Sequence, residues 1–161
     1  MGNFNITIGS DPELFLEKDG EIISAENKIG GSKDKPLLIT REGHALQEDN
    51  VMVEYNIPPA SSRKEFVDSH NLVKKHLTDK FSKQGIKLNI SSSANLAKKY
   101  LRTKQAKKFG CEPDYNVWSR SENNAPSSTG TLRTCGGHIH VGIPLLYREV
   151  SVSIALVKLL D

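Results

Sequence analysis

Leu132-Arg133-Thr134-Cys135-Gly136-Gly137-His138-Ile139-His140-Val141-Gly142 places two of the chain's five histidines two residues apart in a β-branched, glycine-flanked run. On an extended strand residues i and i+2 share a face, so both imidazoles project together. The opposite parity, Cys135, Gly137, Ile139 and Val141, is expected to turn towards packed core. Gly136 and Gly137 carry no side chain, so a ligand or another backbone can approach closely. A metal or phosphate site needs such a strand, and a purely structural histidine pair is equally compatible with it. The rest of the chain has to supply partners.

Two stretches supply acidic ones. Glu13-Leu14-Phe15-Leu16-Glu17-Lys18 alternates as a strand, and Asp19-Gly20 is a hairpin signal before Glu21-Ile22-Ile23. Just ahead of it, Asp11 and Glu13 share the face opposite Leu14 and Leu16. Pro12 cannot donate to a ladder, so this point is expected at an edge or a bulge. Carboxylates held that close repel one another away from water, and a divalent cation relieves them. Ser10-Asp11-Pro12 is also good turn chemistry. Further on, Val51, Val53 and Tyr55 alternate against Asn50, Met52, Glu54 and Asn56, which reads as a half-buried strand ended by Pro58-Pro59. Glutamate is a poor strand former, so Glu54 there is either solvent-facing or present for chemistry.

Around these runs the pattern is ordinary. Asn27 to Pro36 is a glycine-containing loop with Lys28 and Lys33, a weak phosphate signal followed by a strand from Pro36 to Thr40. Ser62-Arg63-Lys64-Glu65 reads as a capping box, with Phe66, His70, Val73, Leu77 and Phe81 as a helical core stripe closed by Gly85. His70 on that stripe reads as structural. Ile86 to Ile90 alternates as a strand, and Lys98 to Lys108 is a densely basic helical patch, read as a solvated face, with contact to a nucleic-acid backbone or to the acidic end of a nucleotide as the alternative. Asp114 and Asn116 can line a site, Trp118 reads as a loop anchor, and a terminal helix is expected from about Leu145. Strands, helix, strand, helical patch, strand, helix gives an α+β fold with a largely antiparallel sheet and helices on one face.

Length and composition narrow the class. The chain has 161 residues, 37% hydrophobic and 25% charged, which fits one globular domain over 1–161 with an adequate core. A net charge of +3 gives no indication of nucleic acid. No leader pattern or membrane-length apolar run occurs, and two cysteines suit a reducing, cytoplasmic setting. The apolar helix Ser151 to Leu160 has no stop signal, so either further chain or a second subunit is expected to cover it, and a homo-oligomer is expected.

Two ligand sets follow from the faces. Asp11, Glu13, Glu54, His138 and His140 suit Mg²⁺ or Mn²⁺ bridging phosphate oxygens. Cys111, Cys135, His138 and His140 have the ligand types for zinc, and hence for a zinc-dependent hydrolase, but opposite parity separates Cys135 from His138 on one strand.

Four motifs in order carry a resemblance. Ser10-Asp11-Pro12-Glu13-Leu14-Phe15, then Asp49-Asn50-Val51-Met52-Val53-Glu54-Tyr55-Asn56 with Pro59-Ala60, then Gly110-Cys111-Glu112-Pro113-Asp114-Tyr115-Asn116, and Cys135-Gly136-Gly137-His138-Ile139-His140-Val141-Gly142 resemble the phage-associated amidoligases. These are carboxylate–amine ligases related to glutamine synthetase and glutamate–cysteine ligase. The resemblance implies a curved antiparallel sheet whose concave face binds ATP and two or more Mg²⁺ ions. It implies an amino-acid or peptide carboxylate that is activated as an acyl phosphate and captured by an amine, in a host cytoplasm if the chain is phage-encoded. Asp11, Glu13, Glu54 and His138 then match metal ligands. Glu13, Glu54, His138 and Arg133 are the catalytic candidates, and Lys28, Lys33 and His140 are the candidates for the nucleotide phosphates. Asp49, Asn50, Asp114 and Asn116 are candidates for the substrate. Relatives continue past the last helix into strands bearing arginines and a final acidic residue, so this chain is expected to lack its C-terminal strands. The alternative is a non-catalytic metal- or ligand-binding or assembly protein built on the same sheet.

Overall fold

The structure is a computed structural model that describes residues 6–107, 115–124, 130–143 and 149–160. In chain order its elements are β1 (Thr7–Lys18), β2 (Glu21–Ile23), β3 (Leu37–Leu38), β4 (Ala45–Asp49), β5 (Met52–Asn56), α1 (Arg63–Ser82), β6 (Ile86–Asn89) and β7 (Ser93–Asn95). They continue with β8 (Tyr115–Asn116), β9 (Ser121–Glu122), β10 (Leu132–Thr134), β11 (Gly137–Gly142) and α2 (Val150–Leu160). The result is α+β. A curled antiparallel sheet runs β11-β1-β5-β4-β3, with β2 and β6 also paired to β1, and two further antiparallel pairs form, β7 with the distant β10 and β8 with β9.

Everything hangs on β1, a twelve-residue strand whose partners change along its length. Its first half pairs with β11, Thr7 opposite Gly142 through Pro12 opposite Gly137, and its second half pairs with β6 and β2. Pro12 is therefore neither edge nor bulge. It sits where the β11 ladder ends, and the next amide, Glu13 N–H, donates to the Gly136 carbonyl at 3.0 Å. The missing donor falls at a change of partner, where the ladder tolerates it. Asp19 and Gly20, with φ of 53° and 80°, form the expected turn into β2.

The period of two sorts side chains onto two cores. Leu14, Leu16, Leu46, Val53 and Tyr55 face α1 and pack on Val73, Leu77 and Phe81. Phe15 and Met52 take the other face and pack with Val51, Leu96 and Ala106. The capping box holds α1's start: Ser62 Oγ accepts from Glu65 N–H at 3.2 Å, and Glu65 accepts from Ser61 N–H at 2.8 Å. His70 bonds Tyr55 OH at 2.8 Å, so it is the structural histidine its stripe suggests.

Four expectations are corrected. The strand expected over Asn50 to Asn56 starts at Met52, because Asn50 and Val51, with Asn50 at φ 54°, form the turn of a tight hairpin with β4. Asparagine tolerates that left-handed conformation, which is how a turn fits inside an unbroken alternating pattern. Ile139 and Val141 do not reach the core; they are 61% and 37% exposed, because β11 ends the sheet beyond the reach of α1. The basic patch forms two short 3₁₀ turns, Lys98–Leu101 and Gln105–Lys107, not a regular helix. The strand expected from Pro36 to Thr40 shrinks to Leu37–Leu38.

Candidate carboxylate site

On the face of the sheet opposite α1, strand register gathers acidic residues that lie far apart in sequence. Glu13 of β1 stands directly across from Glu54 of β5, and Gln47 of β4 stands across from Glu54 on its other side. Asp49, two residues beyond Gln47, shares that face. Ligand oxygens of Glu13, Asp49 and Glu54 lie within 4.8 Å of one another.

These carboxylates are held where water is scarce. Burial pushes Glu54 from an ordinary 4.5 up to about 7; a hydrogen bond from Gln47 opposes the rise, and the charges of Asp49, Asp11 and Glu13 add to it. Burial likewise raises Glu13, against the backbone N–H of Gly136, with Asp49 adding to the rise. Gly136 grips Glu13 twice, its N–H donating to Oε2 at 2.6 Å and its carbonyl accepting from Glu13 N–H.

A second group adjoins the first along β1. Asp11 pairs in register with His138, and Gly9 with His140. Asp11 Oδ1 lies 3.2 Å from His140 Nε2 and 3.6 Å from His138 Nδ1. That oxygen is buried and accepts no hydrogen bond among the described residues. The two imidazoles are well exposed on the open side, and a cavity of about 510 Å³ runs beside His140, lined by Thr7, Gly9, Ile57 and Pro59 from the facing segments.

Other candidates stand apart. Arg133 is buried on β10, donating to the carbonyls of Ala106 at 3.0 Å, Leu132 at 2.8 Å and Gly130 at 3.3 Å, so it acts as a backbone clasp. Lys28 Nζ reaches Glu26 O at 3.5 Å, and Lys33 lies on the exposed turn bridged by Ser32 and Lys35. The loop that carries both lysines folds around Glu48, whose position in β4 alternates with Gln47 and Asp49 and so lies on the other face. Asn50 is buried in its turn, its carbonyl accepting from Gln105 at 3.0 Å. Asn116 Oδ1 caps its own turn through Trp118 and Ser119 N–H. Cys135 points into core beside Met52, 3.5 Å from its sulfur, and burial with the nearby Glu13 charge pushes its thiol up to about 12. That disfavours the zinc set, whose other cysteine, Cys111, lies outside the described residues, as does Asp114.

Two members are not evident from strand alternation: Gln47, and Asp49, a substrate candidate by sequence, which closes the tight cluster with Glu13 and Glu54. The signal was the Asp49-Asn50 turn chemistry, which folds β4 back along β5 and brings both residues level with Glu54. Searches against protein-family models, curated proteins and solved structures found no match to this chain.

Proposed function

We propose that this face binds a divalent cation with ATP and that the chain is a carboxylate–amine ligase, forming an amide through an acyl phosphate. The observation that carries the reading is the convergence of Glu13, Asp49 and Glu54, three oxygen donors from three strands in a partly buried setting. Hard oxygen ligands of this number suit Mg²⁺ or Mn²⁺, and three crowded carboxylates cannot all stay charged without a cation. The four ordered motifs add the amide-forming chemistry to the cation site.

Within this reading Glu13, Asp49 and Glu54 hold the ion, Gly136 N–H fixes Glu13, and Gln47 steadies Glu54 by hydrogen bonding. The ion would supply neutralisation of phosphate oxygens during phosphoryl transfer. Asp11 stands beside the two imidazoles on the open side, where His138 and His140 meet the phosphates or the substrate's reacting end. The two terminal nitrogens of Arg133 are taken by backbone carbonyls, so this reading gives it no catalytic part.

The test is calorimetric titration of ATP with and without Mg²⁺, alongside phosphate release in the presence of amino acids or peptides. Glu13→Gln and Glu54→Gln are expected to abolish Mg²⁺-dependent ATP binding while the circular dichroism spectrum stays unchanged. Normal binding by both variants removes the site. Binding without turnover leaves the non-catalytic reading.

A further inference from the structure

The charges of this chain are sorted along it. Residues 80–111 contain nine Lys and Arg and no Asp or Glu, leaving thirteen Lys and Arg against nineteen Asp and Glu in the rest. A mild net charge conceals that division.

The fold turns the basic stretch into a surface. Between Leu96 and Lys107 the inward positions anchor the chain: Leu96 and Ala106 are buried, Tyr100 and Leu101 pack against the core, and Gln105 donates to Asn50 O. Arg133 ties Ala106 O down from the other side, and Thr103 Oγ1 accepts from Ala106 N–H at 3.0 Å. The outward positions are Lys98, Lys99, Arg102, Lys104 and Lys107, all exposed. Lys99 is paired with Glu21 at 2.9 Å; the other four carry no ion pair among the described residues. Three carboxylates approach this stretch, Glu21 on Lys99, Glu26 on the Thr103 hydroxyl and Glu48 on the Gln105 amide.

We infer that Lys98, Arg102, Lys104 and Lys107 form a docking surface for the phosphate backbone of duplex nucleic acid. The chemistry selects this partner over other anions. A protein interface needs an apolar or aromatic centre and is poor in lysine, whereas here the apolar side chains face inward. A membrane surface needs an amphipathic helix that lays apolar side chains into lipid, and these 3₁₀ turns offer none. Exposed cations on a pinned backbone complement the negative charge of a phosphate backbone, read without regard to sequence. This surface does not depend on the ligase reading.

The experiment is fluorescence anisotropy of a labelled DNA duplex against the full chain over a salt series starting near 50 mM. Four phosphate contacts predict a log–log salt slope of roughly −3 to −4. Arg102→Glu with Lys104→Glu and Lys107→Glu is expected to weaken binding by at least about tenfold and flatten the slope. The neutral set Arg102→Gln, Lys104→Gln and Lys107→Gln is expected to act in the same direction, which guards against a folding failure of the first. Lys64→Glu with Lys75→Glu on α1 is the control and is expected to change binding far less. No duplex binding at the lowest salt, equal loss in the control, or tighter binding of polyglutamate or of phosphatidylserine vesicles overturns the inference.

Discussion

Glu54 lies between Gln47 and Glu13 with its carboxyl raised to about 7 by burial first and by neighbouring carboxylates next. The folded chain therefore holds that proton more tightly than the unfolded chain does. Glu54's contribution to stability is fully present below pH 4.5 and is lost as pH climbs through 7. Metal-free protein is expected to melt at a lower temperature near pH 8 than near pH 5, by a free energy on the order of 1–2 kcal/mol. Glu54→Gln should shrink that difference, and added Mg²⁺ should restore the alkaline melting point in the unaltered chain only. A flat wild-type profile between those pH values would contradict the burial of this carboxylate.

Elements differ in what holds them. β1 is covered on both faces in its second half, with Phe15 and Leu16 fully buried, while α2 buries none of its side chains. Amide exchange followed residue by residue is expected to be slowest at Phe15 and Leu16 and fastest, among helices, in α2, by at least about a hundredfold. Equal protection of α2 and β1 would show a partner on α2. The same contrast explains what the sequence made legible. Short-range signals were strong enough to read β1 with its hairpin, the stripe and cap of α1, the paired faces of Asp11 with Glu13, and the shared side of His138 and His140. Pairings between distant segments were not readable. Nothing in the residues around Arg133 announces that Ala106 will present it a carbonyl. Ile139 and Val141 have core composition, yet core requires a covering element, and alternation alone does not place one.

At the scale of the molecule, the two hydrophobic clusters lie on opposite faces of the same sheet, joined through consecutive residues of β1 and β5. Loosening either face disturbs the strands that position the carboxylates. One tie crosses much of the chain. Glu48 accepts from the backbone N–H groups of Asn27 at 2.9 Å, Ile29 at 3.0 Å and Gly30 at 3.3 Å, and Gln105 reaches it at 3.5 Å. Burial pushes its carboxyl up, but those donors prevail and hold it below the ordinary range. The glycine loop, with Asn27 and Gly30 at positive φ, is thus an anion nest whose occupant is built into the protein. Truncating the occupant vacates a receptor: Glu48→Ala should lower the denaturation midpoint, and acetate or formate, but not chloride at equal ionic strength, should raise it again by refilling the nest. Chemical rescue of that kind would show that this loop recognises a carboxylate as cargo, with its own chain as the native supplier.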